Sequence, residues 1–509
     1  MILSLLMIVF CVSVRYSGKK SYSMKKILSG IRENYLFLII IITGVLLHFC
    51  GLGKQSFWVD EIYTIRNLEC MWSDVIRTSA TVNNSPPLYY FCNKLVCSIG
   101  GYGEVSLRML SALFAVLSVV MIYFFVKELF SKKIALISAF LLAVNPLFLW
   151  FSHEARNYTM VVFLLLFSLF FALKYWETNK KSYLLVFALG ALACSITSVQ
   201  GMAIFPLCFL FYFYSPRKIK IDYLFLSVYS ILLIIALSVF VILFFENGHV
   251  PPKRDFTGLE IFYTFFCYVF GYSFGPSISE LQLSAKSSLL DNKIAIILAS
   301  VSILSFIVFT IRKIEIKKLL PSVFFIAVFV GYAICIEVFT EHSYNVRYAL
   351  PGVIGSVILF AVLLGFALEQ MPNKIEKTEL VLSVLLLLSL SLYSCKNFFF
   401  NDRYSKEMVR EAAQQIKDKG VDVLYVAPPY MSWSYSHYLE QTDIEIVRLT
   451  YKSDFEKIDF SDNNFAIALS RVHHIPFYKS MMEKLKEEEG SESIEQHSDL
   501  PNVVIYYSR

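Results

Sequence analysis

The sequence predicts a mainly α-helical protein that crosses a membrane many times and ends in a small α/β domain. Of its 509 residues, 57% are hydrophobic and only 17% are charged, whereas soluble domains carry about 25% charged residues. Long charge-free runs recur between residues 34 and 395, and charged residues return from Asn397 onwards. The composition therefore excludes an ordinary soluble enzyme.

Charge-free runs mark the predicted spanning helices, because a helix needs about 20 apolar residues to cross a bilayer. The run at Ser182–Pro216 is too long for one helix and has a polar interruption at residues 195–201, so we interpret it as a hairpin of two spans. With that hairpin the prediction is about 11 helices. The runs are Asn34–Gly53, Met109–Val126, Ile134–Ser152, Asn157–Leu173, Ser182–Pro216, Tyr223–Phe245, Ile294–Ile311, Leu319–Ile336, Tyr348–Leu368 and Leu380–Cys395.

The basic residues predict the orientation of these spans. Lys and Arg cluster in alternate short loops, which is typical of the cytoplasmic side, while the opposite short loops hold only Arg156 and Arg347. Residues 1–33 then form a cytoplasmic segment with a short apolar stretch, in which either Met1 or Met24 is the natural start. The chain's net charge of +6 divides into +12 up to residue 396 and −6 over residues 397–509. The basic excess therefore belongs to the membrane part, where it sets topology and indicates no nucleic-acid partner.

Three polar pieces are predicted on the extracytoplasmic side. Loops 54–104 and 246–293 of the membrane domain (residues 34–396) are too long for simple connections and are predicted to form the walls of a cavity. The third piece, residues 397–509, alternates helical and strand patterns and is predicted to be an α/β domain. Its pair His473 and His474 lacks a third ligand and is interpreted as a solvated loop.

Ionisable residues gather at the extracytoplasmic ends of the predicted helices. A reaction on a lipid phosphate needs fixed cations for the phosphate and a carboxylate base for the incoming hydroxyl, and arginine and a desolvated acid suit these two tasks. Asp60 and Glu61 are the candidate catalytic acids, and Arg108, Arg156 and Arg347 are the candidate phosphate ligands. Possible lining residues are Tyr63, Tyr89, His153, Glu154, Tyr158, Lys253, Arg254 and Tyr348.

Five short motifs in this order resemble those of the GT-C fold glycosyltransferases of family 39, the protein mannosyltransferase-like enzymes that include the lipid A aminoarabinose transferases. The resemblance covers roughly residues 25–370. The motifs are Phe57–Glu61, Pro86–Tyr90, Leu107–Phe114, His153–Tyr158 and Val346–Pro351.

The resemblance implies a bacterial inner-membrane enzyme with its active site and C-terminus outside the cytoplasm. It implies inverting transfer of a sugar from a polyprenyl-phosphate donor to an extracytoplasmic glycolipid, protein or envelope polymer, with Asp60 as the base and Arg108 near the donor phosphate. Many family members carry Asp-x-His before the Pro-Pro-Leu-Tyr-Tyr sequence, where this chain has Asn83-Asn84-Ser85. No cofactor is implied, and a requirement for a divalent metal stays open.

Two other functions fit parts of the sequence. A flippase for lipid-linked sugars would need ionisable residues inside its spans, and the spans here are charge-free. A membrane anchor for the α/β domain would not need eleven spans. The sequence therefore favours the transferase and names neither the sugar nor the acceptor.

Overall fold

The computed structural model describes residues 24–83, 85–214, 222–245, 256–311, 314–370, 374–460, 464–490, 493–497, 500 and 502–508. Within these residues, each predicted charge-free run falls on a helix or on two consecutive helices. Up to residue 400 the helices of at least seven residues are Met24–Phe49, Val59–Glu69, Val75–Asn83, Leu88–Gly100, Glu104–Leu129, Lys132–Ala143, Pro146–Ser152, Tyr158–Thr178, Lys181–Ser195, Ile204–Tyr214, Tyr223–Phe245, Leu259–Phe270, Ile278–Asp291, Lys293–Ile311, Ile316–Phe339, Val353–Gln370 and Lys374–Phe400.

Six of the described helices are long and apolar enough to cross a membrane, and Lys132–Ala143 with Pro146–Ser152 makes a seventh span if this bent pair is counted as one. The multi-pass membrane architecture is thereby confirmed, whereas the count of eleven stays a prediction. The bent pair turns by 56°. Pro146 starts its second helix, and the Asn145 side chain accepts from Phe148 N at 2.9 Å, which caps the new helix at the break.

The two long loops contain helices of their own. Loop 54–104 forms Val59–Glu69, Val75–Asn83 and Leu88–Gly100, and the described part of loop 246–293 forms Leu259–Phe270 and Ile278–Asp291. Tyr268 on Leu259–Phe270 is buried, and its backbone oxygen accepts from the Asn145 amide at 2.8 Å. This loop therefore contacts the bent pair at its break.

The C-terminal part is an α/β unit around one mixed sheet, as predicted. Its strands are β1 (Val423–Ala427), β2 (Glu445–Arg448), β3 (Phe465–Ser470), β4 (Ile494–His497) and β5 (Val503–Ser508), in the spatial order β2-β1-β3-β5-β4. The first three are parallel, and β5 runs antiparallel to β3 and β4. Its helices are Val409–Lys419, Ser432–Tyr438, Lys452–Glu456 and Tyr478–Gly490. The strand β4 and the short helices Ser432–Tyr438 and Lys452–Glu456 were not predicted.

The first loop packs directly against this C-terminal unit. Val59 belongs to the same buried apolar cluster as the residues of Val409–Lys419 and β1. Ser56 donates to the backbone oxygen of Glu407 at 2.6 Å, and the backbone N–H of Phe57 donates to the Tyr438 hydroxyl at 2.7 Å. The beginning of the acid-bearing helix Val59–Glu69 is thus held by the end of the chain.

Candidate active site

The helix Val59–Glu69 presents its two acids in different directions, as neighbouring residues on a helix must. Glu61 is fully buried, while the side chain of Asp60 is 18% exposed. Both lie in the first turn, where the helix dipole favours negative charge. The two candidate acids therefore enter two separate clusters, one closed and one open.

The closed cluster is built around Glu61 and Arg108. Arg108 Nε and Nη2 each donate to a Glu61 carboxylate oxygen at 2.7 Å. The other three N–H groups of Arg108 donate to the backbone oxygens of Leu52, Gln55 and Ser56 at 2.6 to 3.0 Å. Because all five donors of this 1% exposed residue are used by the protein, Arg108 is positioned as a support for loop 54–104 and for Glu61.

Lys406 and Glu154 complete the closed cluster. Lys406, from the start of the C-terminal unit, lies 3.5 Å from Glu154 and 4.0 Å from Glu61 and is 3% exposed. Glu154 accepts from Trp150 Nε1 at 2.8 Å, while its other carboxylate oxygen is buried without a hydrogen-bond partner among the described residues. Burial, together with the charges of Glu61 and Asp60, raises the pKa of Glu154 despite the opposing effect of Lys406.

The open cluster surrounds Asp60. Arg347 Nη1 donates to Asp60 Oδ2 at 2.7 Å, and Arg347 is 30% exposed. Burial alone would raise the pKa of Asp60, but the charges of Arg347, Arg156 and Arg471 outweigh it and lower that pKa. Asp60 is therefore an ionised carboxylate among three guanidinium groups, close to bulk solvent.

Hydrogen bonds to the backbone hold the two arginines from the membrane domain. Arg347 lies in a single turn, Val346–Ala349, which the Asn345 side chain caps by accepting from Arg347 N at 3.0 Å. The Gln200 amide of the predicted hairpin loop donates to Arg347 O at 2.8 Å. Arg156 follows the bent pair, and its backbone oxygen accepts from Ser111 Oγ at 3.0 Å.

The structure brings most of the other predicted lining residues near the two clusters. Tyr158 is buried, and the Tyr348 ring centroid lies 5.4 Å from the Arg347 guanidinium carbon. Burial and the negative charge of Asp60 raise the pKa of Tyr63. Tyr89 is one layer deeper, where its hydroxyl contacts Ser111 Oγ at 2.8 Å. The predicted lining residues outside the described residues are Lys253 and Arg254.

His153 has a structural position beside the closed cluster. Its Nε2 is 2.9 Å from the Cys50 backbone oxygen, and the ring lies against Phe398 with ring centroids 5.0 Å apart. Burial lowers its pKa to about 4. At neutral pH the imidazole is therefore uncharged.

This burial predicts acid sensitivity. Between pH 6.5 and about 4 the unfolded chain protonates His153 and the folded protein does not, so stability is lost as the pH falls through this window. At pH 5 the loss from this residue is on the order of 2 kcal/mol. We expect the thermal unfolding midpoint of His153→Gln to depend less on pH between 7 and 5 than that of the wild type. Equal slopes for both proteins would contradict this role.

Two residues of these clusters, Lys406 and Arg471, were not predicted from the sequence. Both come from the C-terminal unit, and Arg471 adopts a left-handed backbone conformation with φ of 45°. The Arg471 guanidinium pairs with Glu407 and lies 5.3 Å from the Trp58 ring centroid. Only the packing of the C-terminal unit on the first loop brings Lys406 to Glu61 and Glu154 and Arg471 near Asp60, and no short motif indicates that packing.

Taken together, the described part of the two clusters has an excess of positive charge. Five cationic side chains face four acids, and protonation of Glu154 would increase the excess. The cations are Arg108, Arg156, Arg347, Lys406 and Arg471, and the acids are Asp60, Glu61, Glu154 and Glu407. An excess of fixed positive charge beside a carboxylate suits a reaction that releases an anion. The described residues contain no group of three or more metal-ligating side chains.

Residues 84–242 match the family model described as dolichyl-phosphate-mannose-protein mannosyltransferase. Among solved structures, the chain resembles ArnT from Cupriavidus metallidurans in the apo state, at 12% identity and a TM-score of 0.50, over 93% of this chain and 98% of that one. The same protein bound to undecaprenyl phosphate gives 12% identity and a TM-score of 0.48 over the same shares.

The Archaeoglobus fulgidus oligosaccharyltransferase with zinc and sulfate gives 13% identity and a TM-score of 0.47 over 88% of this chain and 69% of that one. A comparison with curated protein sequences finds no match. The predicted resemblance to protein mannosyltransferase-like glycosyltransferases and the GT-C type fold are confirmed by the family model and by the ArnT fold.

Proposed function

We propose that this membrane protein transfers a sugar, with inversion, from a polyprenyl-phosphate donor to an acceptor outside the cytoplasm. The observation that carries the proposal is the open cluster, in which a partly exposed carboxylate, Asp60, stands among Arg347, Arg156 and Arg471. The name of the matched family model, dolichyl-phosphate-mannose-protein mannosyltransferase, supports a lipid-phosphate donor.

In the proposed step, the acceptor oxygen attacks the anomeric carbon of the sugar from the face opposite the phosphate. Asp60 takes the proton of the acceptor hydroxyl as the new carbon–oxygen bond forms. The bond between the anomeric carbon and the phosphate oxygen breaks, and its electron pair leaves with the polyprenyl phosphate. The products are the glycosylated acceptor, free polyprenyl phosphate and a protonated Asp60.

Arg347 is the best placed of the arginines to bind the donor phosphate. It is 30% exposed, it uses one N–H on Asp60, and its Nε is without a hydrogen-bond partner among the described residues. A phosphate on Arg347 would draw this cation away from Asp60, which removes the strongest attraction holding the Asp60 pKa down. Donor binding would in this way make Asp60 a better base.

Glu61 and Arg108 have a supporting role in this proposal. Arg108 donates its five N–H groups to the Glu61 carboxylate and to the backbone oxygens of residues 52, 55 and 56. Glu61 also accepts from Ala155 N at 2.9 Å. The pair therefore ties the acid-bearing helix to residues 153–156. This fixes the position of Asp60 relative to Arg156.

The distribution of basic residues supports a site on the extracytoplasmic side of a bacterial inner membrane. The helix Glu104–Leu129 begins at the candidate site and ends beside Lys127, Lys132 and Lys133 at the opposite side of the helical part. Loops rich in lysine and arginine stay in the cytoplasm. The site would then face the compartment where lipid-linked sugars are consumed.

A reconstituted assay tests the function. Purified protein is incubated with polyprenyl-phosphate sugars carrying a radiolabelled sugar and with an envelope extract from cells that lack the gene. We expect label in one envelope component and an equal amount of released polyprenyl phosphate. Movement of labelled donor across vesicle membranes with no labelled product would instead identify a flippase.

In the same assay, Arg347→Gln tests the assignment of the phosphate ligand. We expect kcat/KM for the donor to fall on the order of 10²-fold, because one positioned cation is lost from the leaving phosphate. The matched control is Arg77→Gln, which removes an exposed arginine from the same side of the protein. Equal kcat/KM values for the wild type and Arg347→Gln would remove Arg347 from the site.

A further inference from the structure

Two arginines beside the open cluster share one tryptophan. The Arg66 guanidinium carbon is 3.8 Å from the Trp433 ring centroid, and that of Arg448 is 5.9 Å from it. Tyr63 packs edge to face on the same ring, with centroids 5.2 Å apart. Arg66 and Tyr63 come from the acid-bearing helix, Trp433 from helix Ser432–Tyr438, and Arg448 from the edge strand β2.

The positive charge of this group is not balanced by the protein. Both arginines are exposed, and neither guanidinium has a salt bridge or hydrogen bond within the described ranges. Glu69 lies near enough to attract Arg66 but forms no salt bridge with it. Burial, and after it the nearby positive charge of Arg448, lower the pKa of Arg66.

The position of the group relative to Asp60 is set by the helix. Arg66 follows Asp60 by six residues, which corresponds to about 9 Å along the axis. Tyr63 lies between them, and both Asp60 and Arg66 act on its phenol electrostatically. Tyr63 is therefore close to the proposed base and also packs on the tryptophan that the two arginines share.

The chemistry of the group suits an anion. A guanidinium stacked on an aromatic ring keeps its in-plane N–H donors available for a carboxylate or phosphate, and the ring limits the loss of side-chain freedom on binding. An anion between two like charges also replaces their repulsion with attraction. A neutral ligand would gain neither effect.

We propose that Arg66 and Arg448, held by Trp433, bind an anionic group of the acceptor while its hydroxyl is presented to Asp60. The acceptor class is then an anionic glycan or glycolipid, which carries a carboxylate or phosphate in addition to the attacked hydroxyl. This inference rests on the proposed function, because it names the acceptor of that site.

Direct binding separates this inference from the transfer chemistry. Binding to full-length protein in neutral detergent is measured by saturation-transfer NMR with two pairs of probes. The first pair is trigalacturonate and maltotriose, a neutral saccharide of the same length. The second pair is glucose 6-phosphate and glucose. We expect each anionic probe to bind on the order of ten-fold more tightly than its neutral counterpart, with a preference that weakens at high salt. The stronger of the two anionic probes distinguishes a carboxylate from a phosphate.

Arg66→Gln and Arg448→Gln should each reduce binding of the anionic probes about five-fold or more and leave binding of the neutral probes unchanged. Arg77→Gln is the matched control and should bind as the wild type does. Asp60→Asn should retain the preference for anionic over neutral probes, because binding does not need the base. Absence of sugar transfer and absence of anion binding by Arg66 and Arg448 are therefore separate results.

Three results would overturn the inference. The first is equal affinity for anionic and neutral probes. The second is a lower unfolding temperature for Arg66→Gln and Arg448→Gln with an unchanged preference for anionic over neutral probes. The group would then only stabilise the contact between the helix and the C-terminal unit. The third is that Arg66→Gln and Arg448→Gln bind phosphatidylglycerol vesicles less well than the wild type does, while their binding of the anionic saccharides is unchanged. That result would make the group a contact with membrane lipid.

Discussion

Asp60→Asn is expected to lower the transfer rate by about 10³-fold while leaving the protein folded. Asparagine has nearly the shape of aspartate but cannot take the proton from the acceptor hydroxyl. The loss of general base catalysis, together with the loss of the negative charge, accounts for a decrease in rate of this order. The measurement is kcat in the reconstituted assay, with donor and acceptor both saturating. The unfolding temperature is recorded for each variant.

Asp74→Asn makes the same chemical change in the same loop, away from the open cluster, and should retain wild-type kcat. Asp60→Glu should recover part of the activity, since a carboxylate remains with a longer reach. A near-normal kcat for folded Asp60→Asn would remove Asp60 as the base. Attention would then turn to Glu154, the buried acid with a raised pKa.

Glu61→Ala is expected to have the largest effect on stability. It leaves the guanidinium of Arg108, 1% exposed, without its carboxylate, and breaking a buried ion pair from one side costs about 3–5 kcal/mol. It also leaves Ala155 N without the acceptor it has at 2.9 Å. We expect a marked fall in the thermal unfolding midpoint of the purified protein and poor accumulation in membranes.

The control is Glu369→Ala, which removes a carboxylate from an exposed pair, Lys133 and Glu369, whose side chains are 46% and 52% exposed. Its effect should stay below about 1 kcal/mol, because solvent screens such pairs. The double variant Glu61→Ala/Arg108→Met should be more stable than the sum of its single changes predicts, since it leaves no unpaired charge. Strict additivity would show that the two side chains act independently.

The helices could be predicted because a segment that crosses a membrane must be apolar and must pair its own backbone hydrogen-bonding groups. The charge-free run Tyr223–Phe245 and the hairpin at Ser182–Pro216 appear as helices in the same places. The strands β1, β2, β3 and β5 were recognisable from their apolar residues. The strand β4 (Ile494–His497) carries polar and charged residues at an edge of the sheet, so its sequence lacks the usual pattern.

The site was predicted less completely. Asp60, Arg156 and Arg347 were identified because charged residues at the ends of apolar helices stand out in a sequence. Arg108 stood out for the same reason, yet its five donors are used inside the protein, which only the backbone positions of Leu52, Gln55 and Ser56 reveal. Sequence shows which groups are charged, but pairing depends on contacts between distant segments.

The dependence of the site on residues near both ends of the chain has a consequence for biosynthesis. The carboxylate at residue 60 is made early, whereas Lys406 and Arg471 are made much later, and Val59 completes its apolar cluster only with the C-terminal unit. A chain that terminates before residue 406 therefore carries Asp60 without these two cations and without the apolar cluster that holds the start of its helix. Insertion of the membrane helices and assembly of the candidate site are thus separate stages of synthesis.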